Sequence, residues 1–305
     1  MMENIAAGIV LYNPSNYKRF EEAFTSVVKQ FPKVYIFDNS SIKIKLPFRS
    51  EKITYLTEHK NRGIAYALNK IMNAADRDGY GWVVTMDQDS VVPTKMVSEY
   101  SKYLNTKNVA IICPQVIDKR RIYMKPQVNS GKKYIEFCIT SGSCTSVKVW
   151  KQVGKFDEWL FIDLVDNEFC RRVILSGYKI LQLNSIVLNQ EFGEIIPKSI
   201  KTQRFWLNIS RLLNNVNFAK FGYKKHVSPL RVYYTNRNII YVNRKLAEYG
   251  TNVYKENYNA NSYFGFWLCF NIPSVLRSNK KLDVIKAIRR GRIDGLNKKV
   301  SKWRI

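Results

Sequence analysis

Across residues 1–90, short apolar runs alternate with segments whose apolar residues recur every three to four positions. IAAGIVLY (5–12) is the first such run. It is followed by YKRFEEAFTSVVKQF, which sets Phe20, Ala23, Phe24, Val27, Val28 and Phe31 on one helical stripe. VYIFD (34–38) is the next run. After ITYLTE comes GIAYALNKIMNAA, with Ile64, Ala65, Leu68, Ile71, Met72 and Ala75 on one face, and then WVVTMD (82–87). The order is strand, helix, strand, strand, helix, strand. Nearly continuous apolar strands separated by amphipathic helices predict a mostly parallel, Rossmann-like sheet covered on both faces, an α/β fold. Such sheets bind ligands beyond the carboxyl ends of their strands. The polar residues closing these strands are Asn13, the trio Asp38, Asn39 and Ser40, and Asp87 with Asp89.

Beyond residue 100 the chain continues with a strand, VAIICPQVI, a basic loop (Lys119, Arg120, Arg121), and EFCITSGSCTSVKVW. In FIDLVDNEFCRRVILSGYKI (161–180), Val165, Phe169, Val173 and Leu175 predict a helix ended by Gly177. After about residue 200 helices rich in Asn, Arg and aromatics take over. The expected division is a nucleotide-binding and catalytic domain over 1–200 and a basic, aromatic-rich helical region over 201–305. Charge supports that division. The chain carries a net charge of +26, and residues 201–305 hold 22 Lys and Arg against 4 Asp and Glu. Such an excess points to a partner bearing phosphates, whether nucleic acid, anionic lipid or a phosphorylated substrate.

Several classes lose support. No Gly-x-Gly-x-x-Gly or Gly-Lys-Ser/Thr sequence marks a dinucleotide or P-loop site. The opening residues read as a first strand rather than a signal peptide. YFGFWLCFNIP (263–273) is roughly half the ~20 apolar residues that a bilayer span needs. The five cysteines are odd in number and form no Cys-x-x-Cys pair, which reads as free thiols in a reducing cytoplasm. With only two histidines, His59 and His226, acid–base chemistry falls to carboxylates.

Asp87 and Asp89, separated by one residue past an apolar strand, repel each other unless a cation lies between them. Hard oxygen ligands favour Mg²⁺ or Mn²⁺, which complete their shells with phosphate oxygens and water, so the pair predicts a metal–diphosphate site. Asp163, Asp166 and Glu168 are the candidate bases. SGSCTSV (141–147) offers small residues that let a ligand approach the backbone.

DQDS after GWVVTM, preceded by NRGIAYALN and followed by TSGS and FIDLVDNEFCRR, resembles the inverting family 2 glycosyltransferases of GT-A fold. More narrowly it resembles the rhamnosyltransferase branch that uses dTDP-L-rhamnose in bacterial surface polysaccharide (O-antigen or capsule) synthesis. The resemblance extends through VYYTNRN (232–238) to AIRRGRIDGLNKK. It implies that Asn13 and Asp38, with Asn39 beside them, lie at the base and ribose, with Arg62 and Asn69 nearby. Asp87 and Asp89 form the metal and diphosphate site, and Ser141 and Gly142 lie by the donor sugar or acceptor. Arg231 and Arg237 offer counter-charge to the diphosphate. The family's acid–acid–Arg spacing falls on Asp166, Glu168 and Arg172, which makes Asp166 the base and places Glu168 and Arg172 at the substrate. Gln190 stands where many relatives carry a metal-binding histidine, so either Asp89 and phosphate hold the cation, with or without help from Glu191, or the cation requirement is reduced. A UDP-linked hexose or galactofuranose is the alternative donor.

The expected acceptor is a polyprenyl-diphosphate-linked oligosaccharide, with the protein peripheral on the inner face of the membrane. YFGFWLCFNIPSVLRSNKK and KAIRRGRIDGLNKKVSKWR combine apolar and basic residues as membrane-surface elements do. No RNP-type or helix-turn-helix signature supports nucleic-acid binding. A nucleotidyltransferase is separated by its product, which retains a nucleotide linkage.

Overall fold

The first strand, β1 (Ile5–Leu11), is buried along its length and has neighbours on both sides, β2 (Val34–Asp38) and β4 (Trp82–Asp87). The structure, a computed structural model, describes residues 4–127, 131–193, 195–214 and 218–304. Two helices fall where the apolar stripes predict them. In α1 (Tyr17–Gln30) the buried residues are Phe20, Ala23, Phe24, Val27 and Val28, and the Asn16 side chain caps the start by accepting from Arg19 N at 3.1 Å. In α2 (Ile64–Arg77) the buried face includes Ala65, Leu68, Ile71, Met72 and Ala75.

With β3 (Ile53–Thr57), these strands run parallel in the order β3-β2-β1-β4. The sheet continues through β7 (Ser143–Ser146), β5 (Val109–Ile117), β8 (Lys179–Asn189) and β6 (Lys132–Ile135) to eight strands. In this second half β7 pairs antiparallel with both β4 and β5, and β6 pairs antiparallel with β8. The α/β expectation holds, and within the parallel half helical crossovers join β1 to β2 and β3 to β4. The strand order reverses at β1, because β2 and β3 build outward on one side and β4 joins on the other. That reversal opens a crevice at the carboxyl ends of β1 and β4, where Asn13 and Asp87 stand.

The chain divides into two compact units. The first contains residues 4–116 and 126–190, and its core joins Ile5, Ile9, Phe24, Ile36, Val84 and Leu181. The second contains 117–125 and 191–304, so the division falls at Gln190 and draws in the basic loop. The cause is local: Asp118 Oδ2 accepts from Phe192 N at 3.2 Å, and Arg121 Nη2 donates to Phe192 O at 3.1 Å. Within the second unit α7 (Pro229–Lys245) packs on α11 (Lys281–Asn297). A Cβ on Gly291 or Gly295 would lie 2.5 or 2.6 Å from the carbonyl oxygens of Tyr233 and Arg237, so only glycine permits this approach. Beside it Asn236 and Asn271 exchange amide hydrogen bonds of 2.8 and 2.9 Å in full burial. Among the described residues, no helix is long and apolar enough to cross a membrane.

Candidate active site

Asp87 ends β4, and every residue around it in the Asp-Gln-Asp turn is fastened to a neighbouring element. Asp87 N donates to Ser141 Oγ at 3.2 Å. Gln88 clamps the end of β1 in both directions, accepting from Tyr12 N at 2.9 Å and donating to Tyr12 O at 3.2 Å. Arg19, on α1, donates from Nε to Asp89 O at 2.8 Å. In the turn after β4 Gln88 thus grips the end of β1, while the Asp89 charge acts on Asp87. Gln88 and Arg19 were not foreseen from sequence.

Gln190, closing β8, donates from Nε2 to Asp87 Oδ2. Its Oε1 is buried and receives no hydrogen bond among the described residues. Burial first, then the charges of Asp89 and Asp166, push the Asp87 carboxyl up to about 7, against the opposing Gln190 hydrogen bond. Asp166 is pushed up to about 6, by burial and then by Cys138 and Asp163. Three carboxylates, Asp87, Asp89 and Asp166, therefore share one electrostatic neighbourhood.

Asp166 lies in the first turn of α5 (Val165–Leu175). The approach to it is strained: Phe161, Asp163 and Leu164 have φ of 61, 66 and 62°, a left-handed region that residues with side chains seldom occupy. Asn167 N donates to Asp166 Oδ1 at 3.0 Å, and Cys138, Phe169 and Cys170 line a narrow cleft with Asp166.

Glu168 and Arg172, expected at the substrate, are paired with each other in the core. They are 0% and 1% exposed and form a bidentate pair, with Arg172 Nε and Nη2 each 2.7 Å from a Glu168 oxygen. Arg172 also donates to the carbonyls of Val153 and Lys155. With i, i+4 spacing and full burial, the pair locks α5 to the 153–155 turn and so positions Asp166.

Asp38, Asn39 and Asn69, expected at the nucleotide, are likewise hydrogen-bonded to protein groups. Asp38 is fully buried, and its carboxylate accepts from Ser40 N at 2.9 Å, Ile44 N at 2.9 Å and Tyr55 OH, which orders the loop after β2. Asn39 bridges Arg62 N (3.1 Å) and Gly63 O (3.1 Å). Asn69 Oδ1 accepts from Trp150 Nε1 and Phe156 N, and its Nδ2 donates to Phe156 O and Glu158, so it clips α2 to the 150–158 segment. These hydrogen bonds order the loops after β2 and before α2 and tie α2 to the 150–158 segment. Asn13 and Arg62 remain open to a ligand: Asn13 is exposed, and the Arg62 side chain is 42% exposed beside Glu58 at 3.3 Å. Ser141 is buried with its hydroxyl on Asp87 N. Arg231 and Arg237 lie on α7 of the second unit. The Arg237 guanidinium is buried, 4.6 Å from the Tyr234 ring centroid, and withdrawal from water lowers its pKa.

Gly63 joins the Arg62 loop to the strained Phe161 segment. At φ 87° and ψ 167° it occupies a region open to glycine alone, and a Cβ there would lie 2.6 Å from the Phe161 ring and 2.8 Å from the Phe161 backbone. Gly63→Ala is expected to lower stability by about 2–4 kcal/mol, the sum of backbone strain and overpacking. Urea unfolding measures this; a loss below about 1 kcal/mol would refute it.

Among the described residues no cluster of three or more His, Cys, Asp or Glu is arranged to hold a metal. The donors on offer are the Asp87 and Asp89 carboxylates and the unpartnered Gln190 Oε1. All are hard oxygens beside mutually repelling charges, which fits a divalent cation whose shell is completed by phosphate and water.

The sequence profile described as Glycosyl transferase family 2 matches residues 7–139, which contain β1 to β5 and the Asp-Gln-Asp turn. A dTDP-rhamnosyl transferase, RfbF, of Shigella flexneri is 28% identical over 263 residues, covering 80% of this chain and 81% of its own. Two solved structures share a loose likeness of chain path. Residues 1–349 of S. aureus TarS match at 13% identity and a TM-score of 0.46, over 96% of this chain and 88% of that one. GalNAc-T7 with UDP, GalNAc and Mn²⁺ matches at 10% identity and a TM-score of 0.49, over 88% and 56%. By the family 2 match over residues 7–139 and the similarity to the Shigella transferase, the chain is a glycosyltransferase.

Proposed function

We propose that the protein transfers L-rhamnose from dTDP-L-rhamnose, with inversion, onto a lipid-linked oligosaccharide in the synthesis of a bacterial surface polysaccharide. The observation that carries this reading is the gathering of Asp87, Asp89 and Asp166 at the crevice where the strand order reverses. Similarity to the Shigella rhamnosyl transferase supports the choice of sugar and nucleotide.

In this reading Asn13 and Arg62 face the nucleoside, while Asp38, Asn39 and Asn69 shape the loops that receive it. Asp89, with Asp87 and Gln190 Oε1 beside it, would hold a divalent cation. When bound, that cation supplies positive charge to the departing diphosphate. Asp166 takes the proton of the acceptor hydroxyl as it attacks the anomeric carbon from the face opposite the leaving group. The basic, aromatic second unit faces an anionic membrane surface, which brings the lipid-linked acceptor to the site.

The experiment is a panel of nucleotide sugars assayed for nucleoside diphosphate release, with and without Mn²⁺. Highest turnover with dTDP-L-rhamnose is expected; preferred turnover of a UDP-hexose would overturn the donor assignment. In the same assay Asp89→Asn is expected to lose about a hundredfold in kcat/KM. Its fold should persist, because no described residue donates a hydrogen bond to the Asp89 carboxylate. Unchanged kcat/KM in that variant would remove Asp89 from the diphosphate site.

A further inference from the structure

The second unit contains a cavity of about 1040 Å³ whose charged lining is of one sign. Arg120, Lys198, Lys224, His226, Arg277 and Lys280 line it, and no aspartate or glutamate does. Arg120 is answered by Asp118 at 2.8 Å and Glu191 at 3.1 Å. Lys198, Lys224, Arg277 and Lys280 make no ion pair among the described residues. Nearby, the Lys220 ammonium is held below its ordinary pKa, first by withdrawal from water and then by repulsion from Arg121 and Arg277. Lys198, Lys224, Arg277 and Lys280 thus concentrate positive charge at the cavity, and an anionic ligand would relieve it.

The remaining wall narrows the class of anion. Ile195, Ile196, Phe221 and Val227 make much of the surface apolar, and the Arg277 guanidinium lies 5.7 Å from the Phe221 ring centroid. A forked guanidinium with several ammonium groups suits phosphate oxygens. Apolar walls beside it suit a ligand whose phosphate is attached to hydrocarbon. The neighbouring chain repeats that division: Leu276 lines a separate apolar cavity of about 710 Å³ with Trp267 and Ile288, while Arg277, the next residue, lines the basic one. Extended nucleic acid is a poorer match, since it needs a groove with aromatics set out for stacking.

We propose that this cavity binds the phosphate or diphosphate ester of a lipid-like amphiphile. The phosphates meet Lys198, Lys224, Arg277 and Lys280, and the adjoining hydrocarbon lies on Phe221 and Ile196. The proposal deepens the reading of a lipid-linked acceptor, on which it rests for the ligand's identity.

The test is calorimetric titration of the whole protein in EDTA, which silences cation-dependent diphosphate binding at Asp89. The probes are inorganic pyrophosphate, geranyl diphosphate and phosphatidylglycerol vesicles. Both diphosphates are expected to bind, geranyl diphosphate more tightly, with affinity falling as salt rises. Lys224→Glu combined with Arg277→Glu should weaken both by at least about tenfold, because two charge-assisted contacts are reversed. Lys107→Glu combined with Lys148→Glu, exposed in the first unit, should change them less than about twofold, since exposed charges at a distance are screened. No binding in EDTA, or equal weakening by the control pair, would overturn the site. Loss of vesicle binding with unchanged diphosphate affinity would overturn it in favour of a bilayer headgroup surface. Binding of dTDP-L-rhamnose with Mn²⁺ is measured in the same proteins, so failure of the donor reading registers separately from failure of this cavity.

Discussion

Asp166→Asn is expected to reduce kcat by about 10²–10⁴-fold, the usual contribution of a positioned base, while donor affinity stays within about threefold. Asn has nearly the size of Asp and can still accept from Asn167 N, but cannot take a proton. The pH dependence carries a sign. Because Asp166 is raised to about 6, kcat/KM of the wild type should fall as pH drops through that value, as the base becomes protonated. The stability effect runs the other way. A carboxyl held above its unfolded value of about 3.9 binds its proton more tightly in the native state. Its stabilising contribution is therefore present at low pH and lost as pH rises through about 6. At pH 7.5 the Asn variant should consequently be at least as stable as wild type. Near-wild-type turnover, measured as nucleoside diphosphate release, would remove Asp166 from the role of base.

Arg172→Ala should show the largest loss of stability, about 3–5 kcal/mol, because it leaves the buried Glu168 carboxylate without its partner. It also strips the Val153 and Lys155 carbonyls of a donor. Replacing both charges by apolar residues of similar volume, Glu168→Leu with Arg172→Met, should cost far less, because no uncompensated charge remains. Denaturant midpoints of the two proteins separate the explanations. If the single variant loses under 1 kcal/mol, or if the two lose equally, the pair does not hold α5 in the manner described. A substrate-binding Arg172 would instead raise KM without lowering stability.

The parallel half of the sheet was legible because each element states its partner. Phe20, Phe24 and Val27 announce a helix lying on a sheet, and VYIFD can be nothing but a strand buried on both faces. Asp87 and Asp89 drew attention because uncompensated carboxylates at a strand end demand an explanation, whereas the residues alone left Asp163, Asp166 and Glu168 open and the family resemblance singled out Asp166. The protein partners of Glu168, Arg172, Asp38 and Asn69 were not legible, because a polar residue in a motif looks alike whether it faces a ligand or a buried partner. Only the third dimension shows that Asn69 is saturated by Trp150, Phe156 and Glu158, some eighty residues away in sequence. The left-handed backbone at Phe161, Asp163 and Leu164 was invisible because none of the three is glycine. The boundary near 200 moved to Gln190 because Asp118 ties the basic loop to Phe192, a pairing no local pattern encodes.

The measurement that bears most directly on the site is the anomeric configuration of the product, read by NMR after transfer from dTDP-L-rhamnose to a lipid-linked glycan. A single base opposite a departing diphosphate predicts inversion by the wild type and no product from Asp166→Asn. Retention of configuration, or product formed by the variant at the wild-type rate, would contradict it.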